Sequence, residues 1–173
     1  MPTVLSTMSA RVANLIGVAA CALLLGYAWY SQVVLHLEPC PLCIFQRIGV
    51  FFLGLVFLAA ALHDPRGWGR RLYAVLLFLA AAVTAGVAMR HLYIQSLPPG
   101  SVPACGASLK FMMKVLPLSD VISRVLNGSG ECAKITWRFL GLSMPAWVLI
   151  AMVALGGYGS WVNLGRRRPV LAS

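Results

Sequence analysis

Four long apolar stretches decide what this chain can fold into. Residues 12–35, 72–89 and 144–164 contain no Asp, Glu, Lys or Arg, and residues 42–62 contain one, Arg47. A helix that crosses the hydrocarbon layer needs about 20 mostly apolar residues, and each stretch is near that length. Inside lipid every backbone N–H and C=O must be paired within the protein, so such segments cross as helices. The composition agrees: 60% of the residues are hydrophobic and only 10% are charged, against about a quarter charged in soluble domains. That balance excludes both a soluble globular domain and a disordered chain. The expected fold is an all-α integral membrane protein. It forms one four-transmembrane-helix bundle over residues 1–173, with outer loops at 36–41 and 90–143.

The charges orient the bundle. There are 14 Lys+Arg against 4 Asp+Glu, a net +10. In a soluble chain that excess would suggest nucleic acid. Here the cations flank the apolar stretches, and membrane lipid, not nucleic acid, is the expected partner. Arg11, then Arg66, Arg70 and Arg71, then Arg166, Arg167 and Arg168 all fall on one side of a four-span chain. The short loop on the other side, His36-Leu37-Glu38, holds no Lys or Arg. The positive-inside rule therefore places both termini in the cytoplasm. The long loop carries six sparse Lys/Arg, but long loops translocate with less regard to charge. The first stretch is too long for a cleaved signal peptide, and Tyr27, Trp29 and Tyr30 stand where a small-residue cleavage site would be. They read as an interfacial aromatic belt.

The long loop has its own pattern. Pro98, Pro99, Gly100 and Pro103 keep its start out of helix. Leu118, Val121, Ile122 and Val125 then recur at helical spacing, with Ser119, Asp120, Ser123 and Arg124 opposite. A short amphipathic helix is expected, lying in the membrane surface or packed on the bundle top. Within the spans, small residues at spacing four suggest packing notches: Ala13, Gly17 and Cys21 in the first, then Ala81/Ala85, Ala82/Gly86 and Gly156/Ser160.

The chemistry lies in the cysteines. Cys21 sits inside the first apolar stretch and reads as an inert buried thiol. Cys40, Cys43, Cys105 and Cys132 all fall on the outer, oxidising side, where disulfides persist. Four cysteines allow three pairings. Cys40-Pro41-Leu42-Cys43 is a C-x-x-C that can close locally, and Cys105 and Cys132 then pair across the long loop. The C-x-x-C opens the second span, with Pro41 at the first-turn position. A helix N-terminus presents free N–H groups and partial positive charge, which stabilises a thiolate. Arg47 follows Cys43 by four residues and so shares its helix face, about 6 Å deeper. It can hold an anion or a polar ligand oxygen at the membrane boundary, with Gln46 as a neutral donor and acceptor beside it. Two dithiol/disulfide pairs in series, one on a water-facing loop and one at a helix mouth, can move two electrons from an aqueous protein into the membrane. Zinc is disfavoured: one C-x-x-C plus two distant cysteines is poor zinc spacing.

Glu38-Pro39-Cys40-Pro41-Leu42-Cys43-Ile44-Phe45-Gln46-Arg47 resembles the signature of the DsbB family, the bacterial inner-membrane disulfide-bond oxidases. So do Gly130-Glu131-Cys132-Ala133 and the following Trp137, Phe139-Leu140-Gly141-Leu142 and Met144-Pro145. The resemblance spans essentially the whole chain. It implies that Cys105–Cys132 oxidises a DsbA-like periplasmic thioredoxin-fold protein, with Cys105 attacked and Cys132 released to pass electrons to Cys40. It implies that Cys43 faces a membrane quinone, ubiquinone or menaquinone, drawn from the quinone pool. Arg47 supports quinone binding, and His91 lies near the quinone. A glutathione-like pool is too weak an oxidant to accept electrons from a DsbA-type dithiol, so a stronger, lipid-soluble acceptor is required. The chain departs from some members in having Gln at position 46 in place of Glu, and in lacking a tryptophan near Asp120-Val121-Ile122.

Two other functions are compatible with a cysteine-bearing bundle. A thiol reductant conduit running outward would need inward-reaching cysteines, and only Cys21 lies deep within a span, without a partner. A disulfide-stapled scaffold or small transporter would line a path with intramembrane charge, for which Arg47 is the sole candidate.

Overall fold

The computed structural model describes residues 9–98, 114–115, 117, 119–120, 130–135 and 137–165. Four long helices dominate: α1 (Ala10–Val33), α2 (Pro41–His63), α3 (Trp68–Ser96) and α5 (Met144–Gly165). A one-turn helix α4 (Gly130–Ala133) and two short strands, β1 (Arg138–Phe139) and β2 (Leu142–Ser143), lie just before α5. Among the described residues four helices are long and apolar enough to cross a membrane. The protein is an all-α, four-helix membrane protein.

Local chemistry sets the helix ends. Ser9 caps α1, its hydroxyl accepting from the Val12 N–H at 3.3 Å. Cys40 is the extended N-cap of α2, as the residue before a proline prefers, and Pro41 supplies the first turn. At the far end Asp64 turns left-handed, and its N–H bonds Ala60 O at 3.2 Å. α3 runs beyond the apolar stretch 72–89 and stops only where Leu97 is forced extended by Pro98. That extra length carries His91 to the end of the bundle where α2 begins. β1 and β2 form a hairpin in which Phe139 faces Leu142. Its two-residue turn, Leu140-Gly141, has positive φ at both positions, the primed-turn geometry that matches strand twist.

α3 packs most extensively on α5, and α2 bridges α1 and α3. Leu53, Phe57, Leu77 and Met152 are fully buried between them. Lipid tails are as apolar as these side chains, so close packing and polar bonds must hold the helices together. Phe57 shows the packing. A Cβ on Gly17 would stand 2.6 Å from its ring, and one on Gly159 would stand 2.9 Å from it. The Ala13, Gly17, Cys21 ladder is buried, and a Cβ on Gly156 would stand 2.8 Å from Ala81. The Ala82/Gly86 pair is not a notch. Ala82 is exposed and a Cβ on Gly86 would meet nothing within 4 Å, because α3 buries the neighbouring Leu77, Ala81, Thr84, Ala85 stripe. Leu23, Val83 and Val153 point outward, 74%, 69% and 66% exposed, as residues solvated by lipid do.

A polar clasp ties the end that carries both termini. Asn163 Nδ2 donates to Asn14 Oδ1 at 3.1 Å, and both side chains are buried. Tyr158 OH donates to Ala13 O at 2.8 Å, and Arg70 Nε donates to Asn163 O at 2.9 Å. The expected amphipathic segment falls mostly outside the described residues. Of it, Ser119 and Asp120 are helical and exposed.

Gly17→Leu is expected to destabilise the bundle by about 1–3 kcal/mol through overpacking against Phe57. Gly26→Leu, at a position with nothing within 4 Å, is expected to change little. Thermal unfolding in detergent distinguishes them, and equal effects would contradict the packing.

Candidate redox site

The C-x-x-C turn is anchored by Leu42, which is fully buried against Ile94 of α3 and Cys132 of α4. This places Cys40 and Cys43 at the α2 mouth as thiols, with their Sγ atoms 3.2 Å apart. One turn further, consecutive residues reach opposite ways. Gln46 is buried and turns toward α3, where its Nε2 lies 3.2 Å from His91 Nδ1. Arg47 turns toward α1, donating through Nη2 to Ala28 O at 2.9 Å and through Nη1 to Gln32 Oε1.

His91 is the centre of the assembly. It is 2% exposed, so both ring nitrogens must be satisfied inside the protein. Nε2 lies 3.1 Å from Cys132 O and 3.7 Å from Cys40 Sγ. Nδ1 faces Gln46 and lies 3.9 Å from Cys43 Sγ. A Gln46 amide that donates to Nδ1 leaves the proton on Nε2, which donates to the Cys132 carbonyl. The ligand atoms of Cys40, His91 and Cys132 all lie within 4.8 Å of one another. Residues far apart in sequence thus converge on one imidazole. A rule based on sequence spacing does not see this grouping, because the histidine arrives from a different helix.

Two cavities adjoin the cluster. The smaller, about 80 Å³, is lined by Glu38, Cys40, Cys43, Arg47, His91 and Gln95 among others. The larger, about 350 Å³, lies between α1, α2 and α5. Its walls are apolar: Leu24, Leu25, Val50, Met144, Trp147 and Val148. Its polar groups are Cys43, Gln46 and Arg47. An aromatic chain roofs it, with Tyr27 to Trp137 at 5.9 Å, Trp137 stacked on Phe139 at 6.0 Å, and Phe139 to Trp147 at 5.9 Å. Trp147 Nε1 fixes the hairpin by donating to Phe139 O at 3.1 Å. Cys43 and Arg47 line both cavities.

A family model, Disulfide bond formation protein DsbB, matches residues 10–162. The chain belongs to the DsbB family. The Disulfide bond formation protein B of Nitrosococcus oceani is 46% identical over 159 residues, 92% of this chain and 94% of that protein. That of Methylococcus capsulatus is 49% identical over 160 residues, 91% of this chain and 98% of its own length. That of Chromohalobacter salexigens is 52% identical over 152 residues, 87% and 88% of the two chains.

Of the residues singled out in the sequence, Cys40, Cys43, His91 and Cys132 come together, and Arg47 adjoins them through Cys43. Cys105 lies outside the described residues. His91 stands among the sulfurs and lines the smaller cavity, not the larger one. Arg47 is half-buried and tied to α1, not extended to the surface. Sequence reasoning missed Gln32 as its partner, and missed the hairpin that carries Trp137 and Phe139 over the cavity. The Leu140-Gly141 pair was the one local signal for that turn.

Gln46→Leu is expected to leave His91 Nδ1 buried without its partner, at a cost of about 1–3 kcal/mol. Thermal unfolding of the reduced protein measures this, and an unchanged midpoint would contradict the hydrogen bond.

Proposed function

We propose that the chain is a membrane thiol oxidase. In this reading it reoxidises a DsbA-like periplasmic thioredoxin-fold protein and passes two electrons to a membrane quinone, supporting disulfide bond formation. It sits in the bacterial inner membrane with both termini cytoplasmic and the sulfur cluster at the periplasmic end. The single observation that carries this reading is the position of Cys43, whose side chain lines both the sulfur-side cavity and the apolar cavity.

The thiol steps balance as disulfide exchanges. The partner's dithiol attacks Cys105 of the Cys105–Cys132 disulfide. The partner leaves oxidised, and Cys105 and Cys132 become thiols. Cys132 as thiolate then attacks Cys40 of a Cys40–Cys43 disulfide and releases Cys43; Cys105 as thiolate attacks Cys132 of the resulting Cys132–Cys40 bond, restoring Cys105–Cys132 and leaving Cys40 and Cys43 reduced. Within the described geometry Cys132 and Cys40 are already neighbours, with His91 between them.

The larger cavity fits a quinone by its chemistry. Its walls are apolar and its polar groups converge at one end, as small-molecule sites require. Cys43, Arg47 and Gln46 would hold the head group, and Tyr27, Trp137 and Phe139 would cover it. A bound quinone supplies a sink for two electrons and two protons. Arg47 cannot lose its proton, so it offers permanent positive charge to an oxygen that gains electron density. Its bonds to Ala28 and Gln32 keep the guanidinium aimed beside Cys43. His91 is assigned to the thiols: it orients the Cys132 segment beside Cys40. A conduit running outward has no support in this arrangement, since the one cysteine within the helical core, Cys21, is buried against Gly54.

The test is purified protein with reduced partner and added quinone, followed by quinone absorbance. Cys43→Ala is expected to abolish catalytic quinone reduction while Cys105–Cys132 still accepts one attack by the partner. Continued turnover in that variant would overturn the assigned direction. Arg47→His is expected to raise the quinone KM by about tenfold, the equivalent of roughly 1.4 kcal/mol, and to leave the KM for the partner unchanged. An unchanged quinone KM would reject that role.

A further inference from the structure

Cys40 at the mouth of α2, His91 of α3 and Cys132 of α4 present three ligand atoms within 4.8 Å of one another. We propose that in the reduced protein these three side chains form a binding site for a soft divalent cation, Zn²⁺, with a water as the fourth ligand. The proposal concerns the reduced thiols themselves and does not depend on which acceptor drains them.

The spacing suits the ion. Tetrahedral zinc with Zn–S near about 2.3 Å and Zn–N near about 2.0 Å separates its donors by roughly 3.5–3.8 Å. Cys40 Sγ lies 3.7 Å from His91 Nε2, and Cys132 Sγ lies within 4.8 Å of both. Small side-chain rotations therefore suffice. Sulfur and imidazole nitrogen are the donor types that zinc selects over the harder oxygen-loving cations.

The surroundings also suit it. Each coordinating thiol gives up its proton to the medium as its sulfur binds. Two thiolates, Cys40 and Cys132, neutralise Zn²⁺, so the buried site carries no net charge once it is filled. His91 must bind through a bare nitrogen. If Nε2 coordinates, its proton moves to Nδ1, and Gln46 accepts it by turning its amide end for end. Gln46 can serve either tautomer because it carries both a donor and an acceptor. Such a partner on the second ring nitrogen is what ligating histidines ordinarily have. An ion can enter from the outer side, where exposed Glu38 stands at the rim of the smaller cavity.

Metal and disulfide exclude each other at this site. A sulfur in a disulfide has no thiolate to offer, so oxidation of Cys40–Cys43 expels the ion, and a bound ion holds the thiols out of exchange.

The experiment titrates Co²⁺ into the reduced, quinone-free protein in detergent and then adds Zn²⁺. One Co²⁺ per chain is expected, with thiolate-to-cobalt charge-transfer absorption and the intense visible bands of a tetrahedral ion, all removed by Zn²⁺. Oxidised protein is expected to show none of them. His91→Ala and Cys132→Ser should each weaken binding by about tenfold or more, and Cys21→Ser should not. A six-coordinate spectrum, or full binding retained in both His91→Ala and Cys132→Ser, would overturn the site. Should a variant fail to fold, X-ray absorption on the zinc-loaded wild-type chain decides. A shell of sulfur plus imidazole nitrogen is expected, and a shell without imidazole would overturn the proposal.

Discussion

The end of the bundle where α2 begins is organised by one buried imidazole. A histidine sealed from water must find partners for both nitrogens, and His91 finds them on two different elements. Gln46 reaches it from α2, and the backbone carbonyl of Cys132 reaches it from α4. Satisfying the ring therefore pins α4 to the helical bundle and sets Cys132 beside the C-x-x-C. Leu42, Ile94 and Cys132 seal the contact with an apolar cluster. Polar satisfaction and burial thus act on the same few residues, and three sulfurs are brought to one place as a consequence.

The fold was legible in the sequence where the physics is one-dimensional. Apolar length alone marks the helices that can cross a membrane. Pro41 after Cys40 marks the start of α2, and the residues before Pro98 mark the end of α3. The four-residue step from Cys43 to Arg47 correctly put both at one cavity. The rest depended on what meets what across the bundle. Nothing near His91 in the chain announces Cys40 or Cys132, so a spacing rule for metal ligands could not see the cluster. The Asn14–Asn163 clasp joins the first and last helices and has no local signature. The Ala82/Gly86 pair illustrates the converse: a small-residue step is present, but the helix rotates it away from its neighbours. Gln32 reads as an ordinary polar residue until Arg47 is seen to turn back on α1.

The two cavities divide the chemistry. The sulfur side is small, polar and bordered by the exposed Glu38 loop. The lipid side is larger, apolar and covered by aromatic rings that the Leu140-Gly141 hairpin holds in place. Cys43 and Arg47 stand on the boundary. A protein that hands electrons from water to lipid needs such a boundary residue, reachable by disulfide exchange on one side and by an apolar molecule on the other.

The meeting of Cys40, His91 and Cys132 is open to direct measurement. With Cys43 and Cys105 both replaced by alanine, Cys40 and Cys132 are left as the outer thiols, and mild oxidation of the purified chain should join them. Peptide mapping under non-reducing conditions should then recover one intramolecular Cys40–Cys132 link in most molecules. Cross-linking only between separate chains, or none at all, would contradict the placement of Cys132 beside Cys40 and His91.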